Sequence, residues 1–436
     1  MTAGASGAEA WLDGLYDVER TGRMGPPTLE RIAALVEALG HPEGAYPVVH
    51  VTGTNGKGST AAMTAALLHA AGRRVGLYTS PHLEHPAERI GLDGRPVTPE
   101  QLWTAVGAVA EAAGRAGISP TWFEAMTAAG LWWFREARAD VAVVEVGMLG
   151  RWDATNVVHG QVAVVTNVAL DHTEVAGPTR AHIAAEKSGI IEAGATLVLG
   201  ETDPELRGLF EREQPGRILT RGAELVWSDR RPLGLDGQQV DLRTPWAAHP
   251  GVRVGSLGAH QCDNAVLAVG AAEAVLGAAL PGAALAALAR PAIAGRLEVL
   301  GRDPVLLVDG AHNPAGAASL HRALVELDAA GALGRPRVLV AGVLGGRDPE
   351  EYLRALEVGW FDAVIVTEPP SPRAAAADRL AEAVTAAGGP VPTVEAAPAG
   401  ALAAARSASG PGGSIVGAGS LYLVGALREL AVLPAR

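Results

Sequence analysis

Lysine is almost missing from this chain of 436 residues: of its 35 basic residues only Lys57 and Lys187 are lysine, and the rest are arginine. Cysteine is scarcer still. Cys262 stands alone, which excludes an internal disulfide and fits a reducing, cytoplasmic setting. Positive charge is in deficit as well, since 35 basic minus 47 acidic residues leaves −12. An acidic chain without a Lys/Arg cluster repels phosphate backbones, which argues against general nucleic-acid binding. Long hydrophobic runs are absent too. The longest uncharged apolar stretch, Ala274 to Ala289, is interrupted by Pro281 and falls short of the ~20 residues a membrane-spanning helix needs. The first residues lack the basic and apolar regions of a signal peptide. What remains is the composition of a soluble globular chain, 48% hydrophobic and 19% charged, long enough for two or three folding units.

The first half alternates apolar strands with helical patterns. PVVHVT (Pro47 to Thr52), RVGLYTS (Arg74 to Ser80), VAVVEVG (Val141 to Gly147) and QVAVVTNV (Gln161 to Val168) read as strands. Helical stretches separate them, which predicts parallel βαβ units with helices on both faces of the sheet. From Gly200 to Ser256 the sequence is turn-rich with short alternating stretches, the pattern of a small antiparallel sheet. Ala289 to Arg296 has the proline and glycine of a linker, and PVLLVDG, RVLVAGV, DAVIVTE and GSIVGAG then open a second alternating series. The predicted fold is α/β: a P-loop-type parallel sheet domain over 1–293 with a small antiparallel β subdomain at about 200–256, followed by a second Rossmann-like domain over 294–436.

VVHVTGTNGKGST places a strand, the turn Gly53-Thr54-Asn55-Gly56-Lys57-Gly58-Ser59 and a helix in that order. Glycines let successive N–H groups point at phosphate oxygens, the helix N-terminus adds its dipole, and Lys57 adds a mobile positive charge. Ser59 offers a hydroxyl. The spacing departs from G-x-x-x-x-G-K-[ST], with two residues between Gly53 and Gly56 and a glycine after the lysine. Four further features sit at predicted strand ends, where ligands of parallel sheets gather: Ser80 in TSPHL, Glu145 in VVEVG, Asp171-His172 in NVALDHTE, and Lys187 in AAEKSGI. Glu145 carries most weight, because a carboxylate inside an apolar strand is expensive to bury unless paired or metal-bound. A lone His172 would read as a capping residue and a lone Ser80 as loop. Their arrangement around the phosphate loop is what singles them out. Both lysines fall in these motifs, as expected if each position needs a primary amine that a guanidinium cannot supply.

GTNGKGST, TSPHL with ERI after it, VEVGMLGRWDATN, TNVALDHTE, EKSGII, HQCDNA, GRLE, DGAHNPAG and GSLYLVG follow in this order from about Leu29 to Leu430. In that combination the chain resembles the dihydrofolate synthase/folylpolyglutamate synthase family of the Mur ligase superfamily. The resemblance implies an ATP- and Mg²⁺-dependent ligase, acting as a monomer, that joins L-glutamate to dihydropteroate and to folates through an acyl phosphate. It implies ATP phosphates on Thr54, Asn55, Gly56, Lys57, Gly58 and Ser59. One Mg²⁺ would sit on Ser80 and Glu145 and a second on His172 and Lys187, with Lys187 carrying a CO₂-derived carbamate. Asn264, Arg296, Asp309 and His312 would complete the nucleotide site, with His312 one candidate base for the incoming amine. Thr121, Trp122, Phe123, Glu124, Trp152, Asp153 and Ala154 match positions that cradle the pterin, although the spacing of Trp122, Phe123, Trp132, Trp133 and Phe134 also suits helix packing.

One stretch departs from the family pattern. Gly147-Met148-Leu149-Gly150-Arg151 replaces GLGGR, and Trp152 replaces an aliphatic residue. Bulk at Leu149 and Trp152 would reshape an adjacent acid pocket, which keeps a paralogous ligase of a different carboxylic acid as a second reading. A P-loop ATPase or regulator is a third, opposed by the second α/β domain with its DGAHNP motif.

Overall fold

The computed structural model describes residues 5–22, 25, 28–290, 293–346 and 348–432. Two compact units emerge. One is built from residues up to Arg230, with Val240–Arg253 and the stretch from Cys262; the other from Arg231–Gln239, Val254–Gln261 and the stretch from Ile293. No described helix is long and apolar enough to cross a membrane.

The first unit holds an eight-stranded sheet: β1 (Val48–Thr52), β2 (Val75–Tyr78), β3 (Ile90–Leu92), β4 (Arg95–Pro96), β5 (Val141–Glu145), β6 (Gly160–Val165), β7 (Thr196–Leu199) and β8 (Arg217–Thr220). The order is β4-β3-β2-β5-β1-β6-β7-β8. β2 through β8 in that order pair in parallel, while β3 and β4 close one edge antiparallel. The apolar runs became strands buried on both faces, as a parallel sheet covered by helices requires. β1 and β5 are buried at every position. By strand register the helices Glu30–Ala38, Pro99–Ala116 and Trp122–Glu136 over β2 and β5, and Arg180–Ser188 and Pro204–Glu211 over β6 and β7, share one face of the sheet. The helix Lys57–Ala70 packs along β1, β2 and β5. Two details differ from the sequence reading. The hairpin strands β3 and β4 are too short to announce themselves, and β8, inside the turn-rich stretch, joins the large sheet instead of the small one.

The small antiparallel sheet contains β9 (Val226–Pro232), β10 (Gln238–Arg243) and β11 (Ala248–Val254), in the order β11-β10-β9. The second unit carries a six-stranded sheet of β12 (Glu298–Arg302), β13 (Val305–Asp309), β14 (Arg337–Ala341), β15 (Ala363–Val366), β16 (Thr393–Val394) and β17 (Ser414–Ala418). Its order is β12-β13-β17-β14-β15-β16, parallel except for β12.

One polar residue lies in the middle of the first sheet. His50 of β1 is fully buried, and burial holds its pKa down at about 3, so the ring is neutral at pH 7. Its Nε2 is 3.0 Å from Thr155 Oγ1, and that hydroxyl donates to Asp153 Oδ1 at 2.6 Å. With its proton committed there, Thr155 accepts from His50 Nε2–H, which fixes the tautomer. As pH falls below about 6.5, the unfolded chain takes up a proton that folded His50 refuses until about pH 3, so stability is lost through this window. His50→Gln should flatten the dependence of unfolding free energy on pH between 6 and 4 by ~1.4 kcal/mol per unit, the effect of one proton. Urea titrations across that range would show it, and an unchanged slope would contradict the assignment.

Candidate functional site

Strand order explains why the motifs meet. β1 lies between β5 and β6, so the chain reverses direction across the sheet there, and the carboxyl ends of these strands border the crevice where ligands of open α/β sheets bind. Gly53 follows β1, Glu145 ends β5, and Thr166 follows β6.

The loop after β1 is held from outside. Thr54 N donates to Asn167 O at 3.0 Å, and Thr54 Oγ1 both donates to Ala169 O and accepts from Ala169 N. Asn55 is gripped at both ends of its peptide: its N–H donates to Asn167 Oδ1 at 3.0 Å, and its carbonyl accepts from Asn167 Nδ2 at 2.9 Å and Thr166 Oγ1 at 2.6 Å. Glycine is needed twice. A Cβ at Gly53, with φ of 151°, would stand 1.8 Å from Thr166 Oγ1, and one at Gly56, with φ of 83°, would stand 2.5 Å from Asn264 Oδ1. Gly56 then caps the helix Lys57–Ala70. Lys57 Nζ folds back on the carbonyls of Gly53 and Thr54, at 3.0 and 3.3 Å. Just beyond, the buried hydroxyls of Ser59 and Thr60 have no hydrogen-bond partner. Two orphaned hydroxyls in the first turn of a helix fit a phosphate and its metal ion.

Glu145 is buried and accepts from Ser80 N at 3.1 Å. Both its carboxylate oxygens lie 3.3 Å from where a Cβ on Gly58 would be, so the acid faces the start of the phosphate-loop helix. Lys187 is 3% exposed. Burial, reinforced by the charge of Lys57, pushes its pKa well below the ordinary lysine value, against the opposing pull of Asp171 and Asp153. His172 stands in the left-handed region with φ of 52°, half-buried, 3.9 Å from Asp171. Ser80, Glu145 and Lys57 thus gather around the loop, with Lys187 close enough to feel the charge of Lys57. Among the described residues, no group of three or more His, Cys, Asp or Glu side chains forms a ready cation cage, so a metal here would rely on hydroxyl, modified-lysine and phosphate oxygens as well.

The candidate acid-substrate residues divide by what they touch. Thr121 and Glu124 form a reciprocal capping box on the helix Trp122–Glu136, and Glu124 also pairs with Arg31. Phe123 covers Gly147, where a Cβ would meet its ring at 2.5 Å. Asp153 is turned into its own loop: Oδ2 accepts from Met148 N, and Oδ1 accepts from Thr155 N and Oγ1. Ala154 is buried, whereas Trp152 is 49% exposed. Trp122 lines a cavity of about 430 Å³ with Asp13, Tyr16, Asp17, Arg20 and Thr21. Neither Leu149 nor Trp152 lines it. Leu149 adopts φ of 61° and sinks its side chain among Val168, Ile183, Ala184 and Ile190, while its carbonyl accepts from buried Thr52 Oγ1 at 2.5 Å. Its bulk therefore fills core beside the Lys187 helix.

In the second unit, Arg296, Asp309 and His312 come together around Gly310. A Cβ on Gly310 would meet Arg296 Nη1 at 2.2 Å. Asp309 accepts from Leu297 N and Ala311 N, both at 2.7 Å. Burial raises its pKa although Arg296 opposes the shift. His312 Nδ1 is 2.7 Å from Gly310 O, which makes it the protonated nitrogen. Asn264 belongs to the first unit, beside Gly56.

Sequence reasoning assigned no role to Thr166, Asn167 or Arg89. All three lie in motifs it quoted, but their partners are remote in sequence. Comparison with known proteins bears on what the site does. The Mur ligase middle domain model matches residues 121–272, and the Mur ligase, glutamate ligase domain model matches 295–421. A dihydrofolate synthase/folylpolyglutamate synthase of Mycobacterium tuberculosis is 39% identical over 81% of this chain and 77% of its own length. The Escherichia coli protein of the same name is 34% identical over 87% of this chain and 86% of its own. Among solved structures, Mycobacterium tuberculosis folylpolyglutamate synthase complexed with ADP gives a TM-score of 0.89 at 35% identity, covering 99% of both chains. E. coli FolC in complex with DHPP and ADP gives 0.86 at 29%, covering 98% of this chain and 99% of the other.

Leu149 supplies a test of the local packing. Relieving a left-handed leucine gains ~1–2 kcal/mol, whereas removing a buried leucine side chain loses ~2–5 kcal/mol. Leu149→Gly should therefore destabilise the protein by ~0–4 kcal/mol, centred on ~2 kcal/mol, in urea unfolding. A more stable variant would show that strain outweighs packing.

Proposed function

The chain belongs to the dihydrofolate synthase/folylpolyglutamate synthase family of Mur ligases and is an ATP-dependent, ADP-forming ligase; we propose that it joins L-glutamate to dihydropteroate and extends folates with further glutamates, as a cytoplasmic monomer. The observation that carries the reading is the laced phosphate loop, which opens a helix with two orphaned buried hydroxyls, has the buried Glu145 carboxylate against Gly58, and has the buried Lys187 amine within reach of the charge of Lys57. A carboxylate is a poor acceptor for an amine because attack must expel oxide. Phosphorylation by ATP turns that oxide into phosphate, a good leaving group, with ADP released.

In this proposal Thr54 and Asn55, whose N–H groups are spent on Asn167, hold the shape of the loop, and the N–H groups of Gly56, Lys57, Gly58 and Ser59 take the phosphates. Lys57 exchanges the carbonyls of its own loop for phosphate oxygens, a short movement for a flexible side chain. Ser80 and Glu145 hold one Mg²⁺, and His172 with Lys187 the second. When bound, the two ions supply charge neutralisation for the transferring phosphoryl group. Asn264, Arg296, Asp309 and His312 are assigned to nucleotide binding, and His312 is the candidate acceptor for the amine's proton. Thr121 to Glu124 and Trp152 to Ala154 are assigned to the pterin, with Thr121, Glu124 and Asp153 acting through the backbone they organise.

Lys187 fits a carbamate for a physical reason. Only the neutral amine attacks CO₂, and burial beside Lys57 shifts Lys187 toward that form. Addition forms an N–C bond, releases a proton and leaves an anionic oxygen donor. The negative charge also removes the repulsion between two adjacent amines.

ADP release by the purified protein tests the reading. Release should require dihydropteroate and L-glutamate together. Lys187→Arg should lower kcat by at least about 100-fold, ~2.7 kcal/mol, and bicarbonate should not restore it. Turnover with other acids but no pteroate or folate would favour a paralogous ligase.

A further inference from the structure

Arg89, in the ERI segment after TSPHL, is 1% exposed. A buried guanidinium is tolerated only with its donors satisfied, and here three distant segments share the task. Nη1 and Nη2 donate to the two oxygens of Glu19 at 2.9 and 2.5 Å, a bidentate pair. Nε donates to His82 Nδ1 at 2.9 Å. The guanidinium plane lies over the Trp122 ring, 4.6 Å from its centroid. Trp122 N also donates to Tyr16 O at 3.0 Å. The segment that carries Tyr16 and Glu19 supplies most of the wall of the 430 Å³ cavity, and Trp122 supplies the rest.

We propose that Glu19 and Arg89 are positioning residues for the acid substrate: the pair fixes Trp122 and residues 14–21 as two walls of its pocket. The inference rests on the ligase reading above and names what shapes that pocket. The pair is not what attaches the N-terminal segment to the molecule. The preceding helix, Ala5–Asp13, buries Ala8 and Leu12 in the main core, so it stays docked without Glu19. What depends on Glu19 is the stretch between that helix and residue 22, and the face of Trp122 that Arg89 covers. Glu19→Gln leaves a buried cation without its counter-charge, which drives Arg89 off the ring and releases the wall.

The full chain is assayed by ADP release while dihydropteroate, ATP and L-glutamate are varied in turn. Glu19→Gln should raise the KM for dihydropteroate at least tenfold and leave the KM for ATP within twofold. The double variant Glu19→Leu/Arg89→Met removes both charges, so no ion is left unpaired and thermal unfolding should match wild type. Its dihydropteroate KM should still be raised, because the geometry over Trp122 is lost. A folded variant with unchanged dihydropteroate KM overturns the inference, as does a proportional fall in all parameters that tracks the folded fraction. Absence of wild-type turnover with dihydropteroate overturns the folate reading itself, and this inference with it.

Discussion

A glycine-rich loop cannot hold its own shape, and the site depends on the strand end that does it instead. Thr166, Asn167 and Ala169 supply the hydrogen bonds that Thr54 and Asn55 lack within their own turn. The clamp works only because β6 lies next to β1 in parallel register, Thr52 opposite Val165, so that both strands end at the same level. With the loop fixed, Gly56 can open a helix whose first turn has N–H groups outside the helical ladder and carries the buried, unpartnered hydroxyls of Ser59 and Thr60. The same strand end leads directly into Asp171 and His172, tying the candidate metal donors to the phosphate loop without a separate scaffold.

Charge then sets the chemistry available there. Two amines close to one another at the end of a buried sheet repel, and burial pushes the deeper one, Lys187, toward the neutral amine. Replacing Lys187 by arginine would force a permanent second cation beside Lys57, since a guanidinium does not deprotonate in this environment. This is a physical reason for lysine to persist at position 187 in an arginine-rich chain. The negative charges that oppose the shift at Lys187 are those of Asp171 and Asp153, while Glu145 lies against Gly58 in the first turn of the phosphate-loop helix.

How much of this was legible depended on the distance over which each residue acts. The phosphate loop was readable because strand, glycines, lysine and helix are consecutive. Glu145 was readable because a carboxylate breaks an apolar strand. The contribution of Asn167 was not, because nothing in TNVALDHTE indicates that its amide grips Asn55, 112 positions away. Nothing in the sequence around Asp153 and Glu124, which the resemblance places at the pterin, shows that their oxygens also organise loop and helix backbone and, for Glu124, pair with Arg31. Leu149 looked like bulk in a pocket, yet its left-handed backbone sends the side chain into the core. Arg89 was passed over as part of a motif, since its value comes from Glu19 and Trp122, which only the fold brings to it.

The central claim is that the ends of β1, β5 and β6 form one binding centre for a metal-bound triphosphate. A crystal structure with a non-hydrolysable ATP analogue and Mg²⁺ tests it most directly. The account predicts the phosphates on the N–H groups of Gly56 to Ser59, Lys57 swung from its carbonyls onto a phosphate oxygen, a metal ion at Glu145, and extra density for a carbamate on Lys187. Nucleotide bound elsewhere, or bound here with Glu145 and Lys187 remote from any metal ion, would contradict it.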